Sequence, residues 1–365
     1  MGFKLPNGSD LSAEQLSIIN LPTSKDYVIT GAPGTGKTVM AIYRAGQMAR
    51  TQKVLLLVYN RPLMKFLSSA LKSQYYKNCV ASTYHQWLSD FYREEFHKSC
   101  PMLAPFEPDW KQIEKDCRYV TPRYAHVIID EAQDFPIELI TLLKKMARNI
   151  TCFIDPNQAI EAGKTSVINA IKKLCVESPY SLTRNFRNTK EIRDVSAIFC
   201  KNGRPAMATA RHKKPTLIQC SDYEDQTYEM AEIIRNNKGK TVGIIVNNKN
   251  LRNTYSDLCE ELDGEGINIQ MFKAMAVDEI DFDSTGVKIV SYGTMKGLEF
   301  DIVLLPRFEK VRSTDDSVAD NNRIYVALSR PLRELYIFYF DDYISDKWID
   351  TFGPINKNRS MFEWK

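Results

Sequence analysis

Paired cysteines and clustered histidines are missing from this chain. Its eight cysteines are scattered, with no C-x-x-C pair and no close histidine, and its four histidines have no metal-ligand spacing. That excludes a disulfide framework and a zinc module of the usual kind. Reduced thiols are expected, and Cys152 within "ITCFID" reads as a small buried hydrophobe. Long apolar runs are missing too. None could span a bilayer, and the start does not resemble a signal peptide, so a cytoplasmic protein without a membrane partner is expected. Excess charge of one sign is small, at a formal +4, so any nucleic-acid contact must come from a local groove rather than a polycationic surface. No repeat of solenoid length and no low-complexity tract is present.

There is ample material for globular cores. Hydrophobic residues make up 44% and charged residues 26% of 365 positions, a length that one core rarely fills, so two domains are expected. Short runs rich in Val, Ile and Leu alternate with longer helical patterns, which predicts an α/β fold with parallel strands and crossover helices. Strands are predicted at "YVIT" (27–30), "VLLLVY" (54–59), "HVIID" (126–130) and "TCFID" (151–155). A second set follows at "TLIQC" (216–220), "TVGIIV" (241–246), "VKIV" (287–290), "IVLLP" (302–306) and "LYIFYF" (335–340). Continuous apolar runs suit strands covered on both faces. The domain boundary is expected near "ESPYSL" (177–182), giving domains 1–178 and 179–365, with small insertions at 96–124 and 247–285.

"GAPGTGKT" (31–38) follows a predicted strand and precedes the helical stretch "VMAIYRAGQMA", the context that makes a phosphate-loop match specific. Gly31, Ala32, Pro33, Gly34, Thr35 and Gly36 form the loop whose backbone N–H groups would converge on phosphate oxygens at a helix N-terminus. Lys37 would reach the outer phosphates, and Thr38 would ligate magnesium. "HVIIDEAQDFP" ends a second strand in three carboxylates and a glutamine. Beside a phosphate loop, that pattern assigns Asp130 to magnesium and Glu131 to orienting or deprotonating the attacking water. ATP and Mg²⁺ are the expected ligands.

"DEAQDF" resembles the Asp-Glu-x-Gln-Asp element of superfamily 1 helicases of the UvrD/Rep type, and further stretches match that family in order along almost the whole chain. The resemblance implies two tandem RecA-like P-loop NTPase domains with parallel sheets flanked by helices and ATP hydrolysed in the cleft between them. It implies that Gln15, in "LSAEQLSII", reads adenine. Gln158, in "FIDPNQAI", would contact the γ-phosphate side. From "SLTRNFRN", Phe186 would stack on adenine and Arg187 would reach the γ-phosphate. In "YGTMKGLEFD", backbone near Gly297 would track nucleic-acid phosphate and Glu299 would contact the ribose. Arg330, in "NRIYVALSRP", would be a second arginine on the γ-phosphate. Gln133 and Asp134 would relay the state of the ATP cleft. For single-stranded nucleic acid the family points to Asn60 in "VYNRPL" and to Thr83, Tyr84 and His85 in "STYHQWL". The same spacing fits core residues of an amphipathic helix at Tyr84 and Trp87, and both readings stay open.

The chain departs from the family pattern in four places. Roughly forty residues between "STYHQWL" and "HVIID", and roughly a hundred between "NFRN" and "KGLEF", leave no room for the family's large inserted subdomains. After Gln158, "AIEAGKTSV" lacks the family's stacking aromatic, and Gly293 stands where the fifth element usually has histidine. The leading expectation is an ATP-dependent DNA helicase or single-stranded-DNA translocase, moving 3′ to 5′ by resemblance. The alternative is an ATPase switch, gated by nucleic acid or a protein partner, that controls a nuclease or other effector with little unwinding. A nucleotide-binding protein without turnover is opposed by the set Lys37, Asp130, Glu131, Arg187 and Arg330.

Overall fold

The computed structural model describes residues 5–58, 77–158, 165–200, 206–246, 256–271, 284–293, 295–311, 317–340, 354–355 and 357–365. Two compact units are present. Among the described residues, one comprises Leu5–Ala32 and Gly36–Leu182, the other Pro33–Thr35 and Thr183–Lys365. They are called the N-terminal and the C-terminal unit below, after the stretch that makes up most of each.

The N-terminal unit contains strands β1 (Tyr27–Gly31), β2 (Val54–Val58), β3 (Cys79–Thr83), β4 (Met102–Ala104), β5 (Glu107–Pro108), β6 (Tyr124–Ile129), β7 (Ala147–Ile154) and β8 (Tyr180–Leu182). Its helices are α1 (Ala13–Ile19), α2 (Lys37–Ala49), α3 (Tyr84–Phe96), α4 (Trp110–Asp116), α5 (Ile137–Met146) and α6 (Val167–Leu174). Six strands form one sheet in the order β3-β2-β6-β7-β1-β8, and every pair in it is parallel. All five residues of β2 are buried, so both faces of the sheet are covered, as the uninterrupted apolar run requires. Side chains such as Val28, Leu57, Val127, Leu139 and Ile150 share one core cluster.

The C-terminal unit contains β9 (Arg184–Asn185), β10 (Met207–Ala208), β11 (Thr216–Cys220), β12 (Thr241–Val246), β13 (Ile269–Met271), β14 (Gly286–Ser291), β15 (Phe300–Leu305), β16 (Pro331–Phe340) and β17 (Glu363–Trp364). Helices α7 (Lys190–Ala197), α8 (Tyr223–Arg235), α9 (Ser256–Asp263) and α10 (Ser317–Leu328) accompany them. Its large sheet runs β13-β14-β12-β15-β16-β11-β17 and is parallel throughout. In β12, a Cβ at Gly243 would lie 2.3 Å from the Phe300 ring. Glycine there admits the neighbouring strand's aromatic. The fold is thus the expected α/β arrangement of two tandem RecA-like units with parallel sheets flanked by helices.

All nine predicted strands are present, with ends shifted by a few residues. The pattern missed β3 and β8 because both are edge strands of the first sheet and carry mixed burial rather than a continuous apolar run. The insertion expected at 96–124 contains the β4–β5 hairpin and α4.

Candidate nucleotide site

The chemistry-bearing loops of the N-terminal unit leave the carboxyl ends of three adjacent strands. β7 lies between β1, which feeds the phosphate loop, and β6, which ends at Asp130. In open parallel sheets this edge is where ligands bind. Helix α2 begins at Lys37 immediately after Gly36, whose φ of +88° places it in the left-handed region. A Cβ at Gly36 would lie 2.6 Å from Gln15 Nε2. The residue expected to read adenine therefore sits beside the start of α2. Its Oε1 accepts from Ser12 N at 3.0 Å, and Gln15 N donates to Ser12 Oγ at 3.2 Å, a reciprocal cap that fixes the first turn of α1.

Lys37 is buried, and its Nζ donates to Gly31 O at 2.8 Å and Ala32 O at 3.2 Å. It also lies 3.6 Å from Asp155 Oδ2. Thr38 Oγ1 donates to Asp130 Oδ2 at 2.7 Å, so the two expected magnesium ligands meet. Asp130 Oδ1 is buried with no hydrogen-bond partner. Burial raises the Asp130 pKa and Glu131 adds to the rise, while Thr38 and Lys37 oppose it. A hard cation beside this carboxylate would relieve that cost. Among the described residues no group of three His, Cys, Asp or Glu could hold a metal ion by itself. Magnesium keeps several waters and leans on substrate phosphates, so one hydroxyl and one carboxylate are enough protein ligands for it. The residues fit the expected ligands: Thr38 and Asp130 would hold the ion.

Glu131 adopts φ +53°, a left-handed conformation uncommon outside glycine and asparagine and frequent at functional sites. Gln133 Nε2 donates to its carboxylate, and Gln133 Oε1 accepts from Asp155 N at 3.0 Å. Asp155 in turn accepts from Asn157 N at 3.0 Å and Gln158 Nε2 at 2.8 Å. Burial raises the Asp155 pKa, and Lys37 pulls it back. Glu131, Gln133, Asp155, Gln158 and Lys37 thus form one polar network. Asp155 is the member that the motif reading overlooked. A carboxylate ending a buried strand, three residues before Gln158, was the available signal.

A second overlooked residue is Arg44 in α2. It is buried, and its Nη1 donates to Ile18 O at 2.8 Å, Ile19 O at 3.3 Å and Leu21 O at 3.0 Å. These carbonyls lie at and just beyond the end of α1, so Arg44 ties the helix carrying Gln15 to the helix that starts at Lys37. Burial lowers its pKa to about 10. A lone charge on the buried Met40–Arg44–Met48 stripe was its sequence signal.

In the C-terminal unit, Arg187 pairs with Glu299. Asn185 Oδ1 accepts from Arg187 N at 2.9 Å and Asn188 N at 3.0 Å. Asn188 Nδ2 donates to Ser329 O at 3.1 Å and Pro331 O at 2.6 Å, which anchors this turn beside Arg330. Arg330 is fully buried and donates to Val326 O, Leu298 O and Ser329 Oγ at 3.0, 3.3 and 3.0 Å. The described contacts therefore hold Arg330 within its own unit. Phe186 is 55% exposed, and Gly297 has φ +79°.

Among the expected nucleic-acid residues, Asn60 lies outside the described residues. Tyr84 is buried, edge-on to Phe135 at 5.5 Å. Trp87 is buried too, with its Nε1 donating to Tyr124 Oη at 3.2 Å. Both are core residues of α3 in this structure, so Tyr84 offers no open ring face. Thr83 and His85 are half-buried.

Two units with parallel sheets flanked by helices, and a phosphate loop ahead of α2, define the class as P-loop NTPases. Residues 24–273 match the Schlafen group 3, DNA/RNA helicase domain, and the chain belongs to that family. No curated protein matches it. It is similar to the C-terminal domain of a possible DNA helicase from Lactobacillus plantarum WCFS1, with 16% identity over 49% of this chain and 98% of that one, TM-score 0.35. The Arterivirus nonstructural protein 10 helicase aligns at 15% identity over 93% of this chain and 63% of that one, TM-score 0.45. The PRRSV helicase aligns at 14% identity over 89% and 54%, TM-score 0.45. This chain spans less than two thirds of either viral protein. Among the described residues no helix is long and apolar enough to cross a membrane.

Proposed function

We propose that this protein is a cytoplasmic ATP-dependent nucleic-acid motor of the UvrD/Rep-like superfamily 1 type, acting on single-stranded DNA as a 3′-to-5′ translocase or helicase. Residues 1–178 form its ATP-binding domain and 179–365 its helicase domain. The observation that carries this reading is the network joining Lys37, Asp155, Gln158, Gln133 and Glu131, set beside the Thr38–Asp130 pair. Bound magnesium would neutralise charge on the outer phosphates. Lys37 exchanges its contacts with the Gly31 and Ala32 carbonyls for phosphate oxygens. Glu131 orients the attacking water and takes its proton, held by Gln133 in a conformation that few side chains adopt. Gln158 senses the γ-phosphate and passes its presence to Lys37 and Glu131 through Asp155. Arg187 and Arg330 supply the remaining positive charge when the helicase domain closes on nucleotide, after Arg187 leaves Glu299.

A second reading, an ATPase switch controlling a nuclease or other effector, is favoured by one feature: no stacking aromatic follows Gln158 in "AIEAGKTSV". Phosphate release with ATP and magnesium, measured alone, with single-stranded DNA and with RNA, tests both. Stimulation by DNA supports the motor. Turnover indifferent to both polymers supports the switch, and no turnover under any condition refutes both.

A further inference from the structure

The N-terminal unit holds a cavity of about 650 Å³, lined by residues of β3, α3 and the β4–β5 hairpin together with Lys53, Arg123 and Tyr124. That volume is ordinary for a small-ligand site. None of the phosphate-loop or acidic-network residues lines it. Thr83 and His85 do.

Phe106 stands at its mouth, in the two-residue connection between β4 and β5, with φ +64°. Turns give such a position to glycine or asparagine, and a bulky ring there is an outlier. The ring is 73% exposed, so core packing does not account for the strain. It sits edge-on to His85, with centroids 5.7 Å apart. Strain of this kind clusters at ligand-contacting sites, so a functional reading of Phe106 is called for.

The lining charges select the ligand. Lys53 and Arg123 are matched by Asp90 and Glu94, and Arg123 already pairs with Glu94 and Glu95. A phosphate would meet both carboxylates, so the interior suits a neutral heterocycle with polar edges. Gln86 Nε2 donates to Asp90 Oδ2 at 2.8 Å, which orients the amide and makes its oxygen the acceptor for a base N–H.

We propose that this cavity accepts one unpaired nucleobase of a bound single strand, stacked on Phe106 and hydrogen-bonded by Gln86. The inference rests on the reading of the chain as a nucleic-acid motor and adds a base-holding site to it.

The test uses the full chain and single-stranded DNA or RNA oligomers carrying one 2-aminopurine, with free 2-aminopurine riboside as a separate arm. Wild type should change the fluorescence of a base at one position and bind the strand with a measurable Kd. Phe106→Gly removes the ring and relieves the backbone strain, so its melting temperature should hold or rise. Its strand affinity should fall by about 5- to 100-fold, the range for one stacked base, and Phe106→Tyr should restore it. Turnover of ATP without nucleic acid should not change. A wild type that binds strands, with Phe106→Gly and Gln86→Ala both within about twofold of it, overturns the base site alone. Saturable binding of the free riboside overturns the assignment to a strand. Failure of wild type to bind any strand refutes the nucleic-acid reading itself.

Discussion

Replacing His126 with glutamine should remove much of the acid sensitivity of the N-terminal unit. His126 begins the buried half of β6. Its Nε2 lies 2.8 Å from Thr151 Oγ1, and its Nδ1 lies 3.3 Å from Thr23 O. Burial, aided by the nearby Arg44 charge, lowers its pKa from 6.5 to about 4. The unfolded chain therefore binds a proton that the folded one refuses as pH falls below 6.5. Stability is fully present above that value and declines until the pH reaches about 4. The full gap is worth about 3 kcal/mol, of which about 2 kcal/mol is lost between about pH 7 and about pH 5. Urea unfolding at both pH values, followed by tryptophan fluorescence, measures it, since Trp87 is buried in this unit. The wild-type loss should exceed that of His126→Gln by about 2 kcal/mol. Equal losses would show that His126 titrates normally in the fold and that its burial carries no cost to the charged form.

Further outcomes are expected in the nucleotide site. Asp155→Asn should lower turnover by about 100-fold, because the charge-assisted contacts that set Lys37 and Gln158 are each worth about 1.5–3 kcal/mol. ATP binding should persist, since a buried negative charge beside the phosphates is gone; unchanged turnover would sink the relay. Arg44→Met should leave three carbonyls at the end of α1 without their donor and raise the KM for ATP more than it lowers kcat. Unaltered KM with a normal melting temperature would contradict its link to Gln15. Arg330→Ala should abolish turnover while nucleotide binding persists, at a stability cost of about 3 kcal/mol from its buried hydrogen bonds. Activity near wild type in a folded variant would remove Arg330 from the chemistry.

The fold was legible where strands are buried on both faces: β2 and β12 are apolar at nearly every position, and the runs declare them. Edge strands β3 and β8 were hidden because one side faces away from the core and polar residues are tolerated there. Motif spacing brought Thr38 to Asp130 without knowledge of the sheet, since a phosphate loop and an acidic strand end have a fixed local geometry. It could not reach Arg44 or Asp155, whose partners lie more than twenty residues away or belong to a different motif. Tyr84 shows the opposite limit. A local match to a nucleic-acid element says nothing about which side of a helix meets the core, and the packing against Phe135 decides it.

On the proposed function, Glu131 activates water for ATP hydrolysis at a site built by Lys37, Thr38 and Asp130. Phosphate release by Glu131→Gln, measured alongside binding of a fluorescent ATP analogue with magnesium, tests this. Wild-type binding is expected, with turnover reduced by about 100-fold or more, the usual scale for losing a positioned general base. Turnover equal to wild type, in a variant that binds nucleotide, would contradict it.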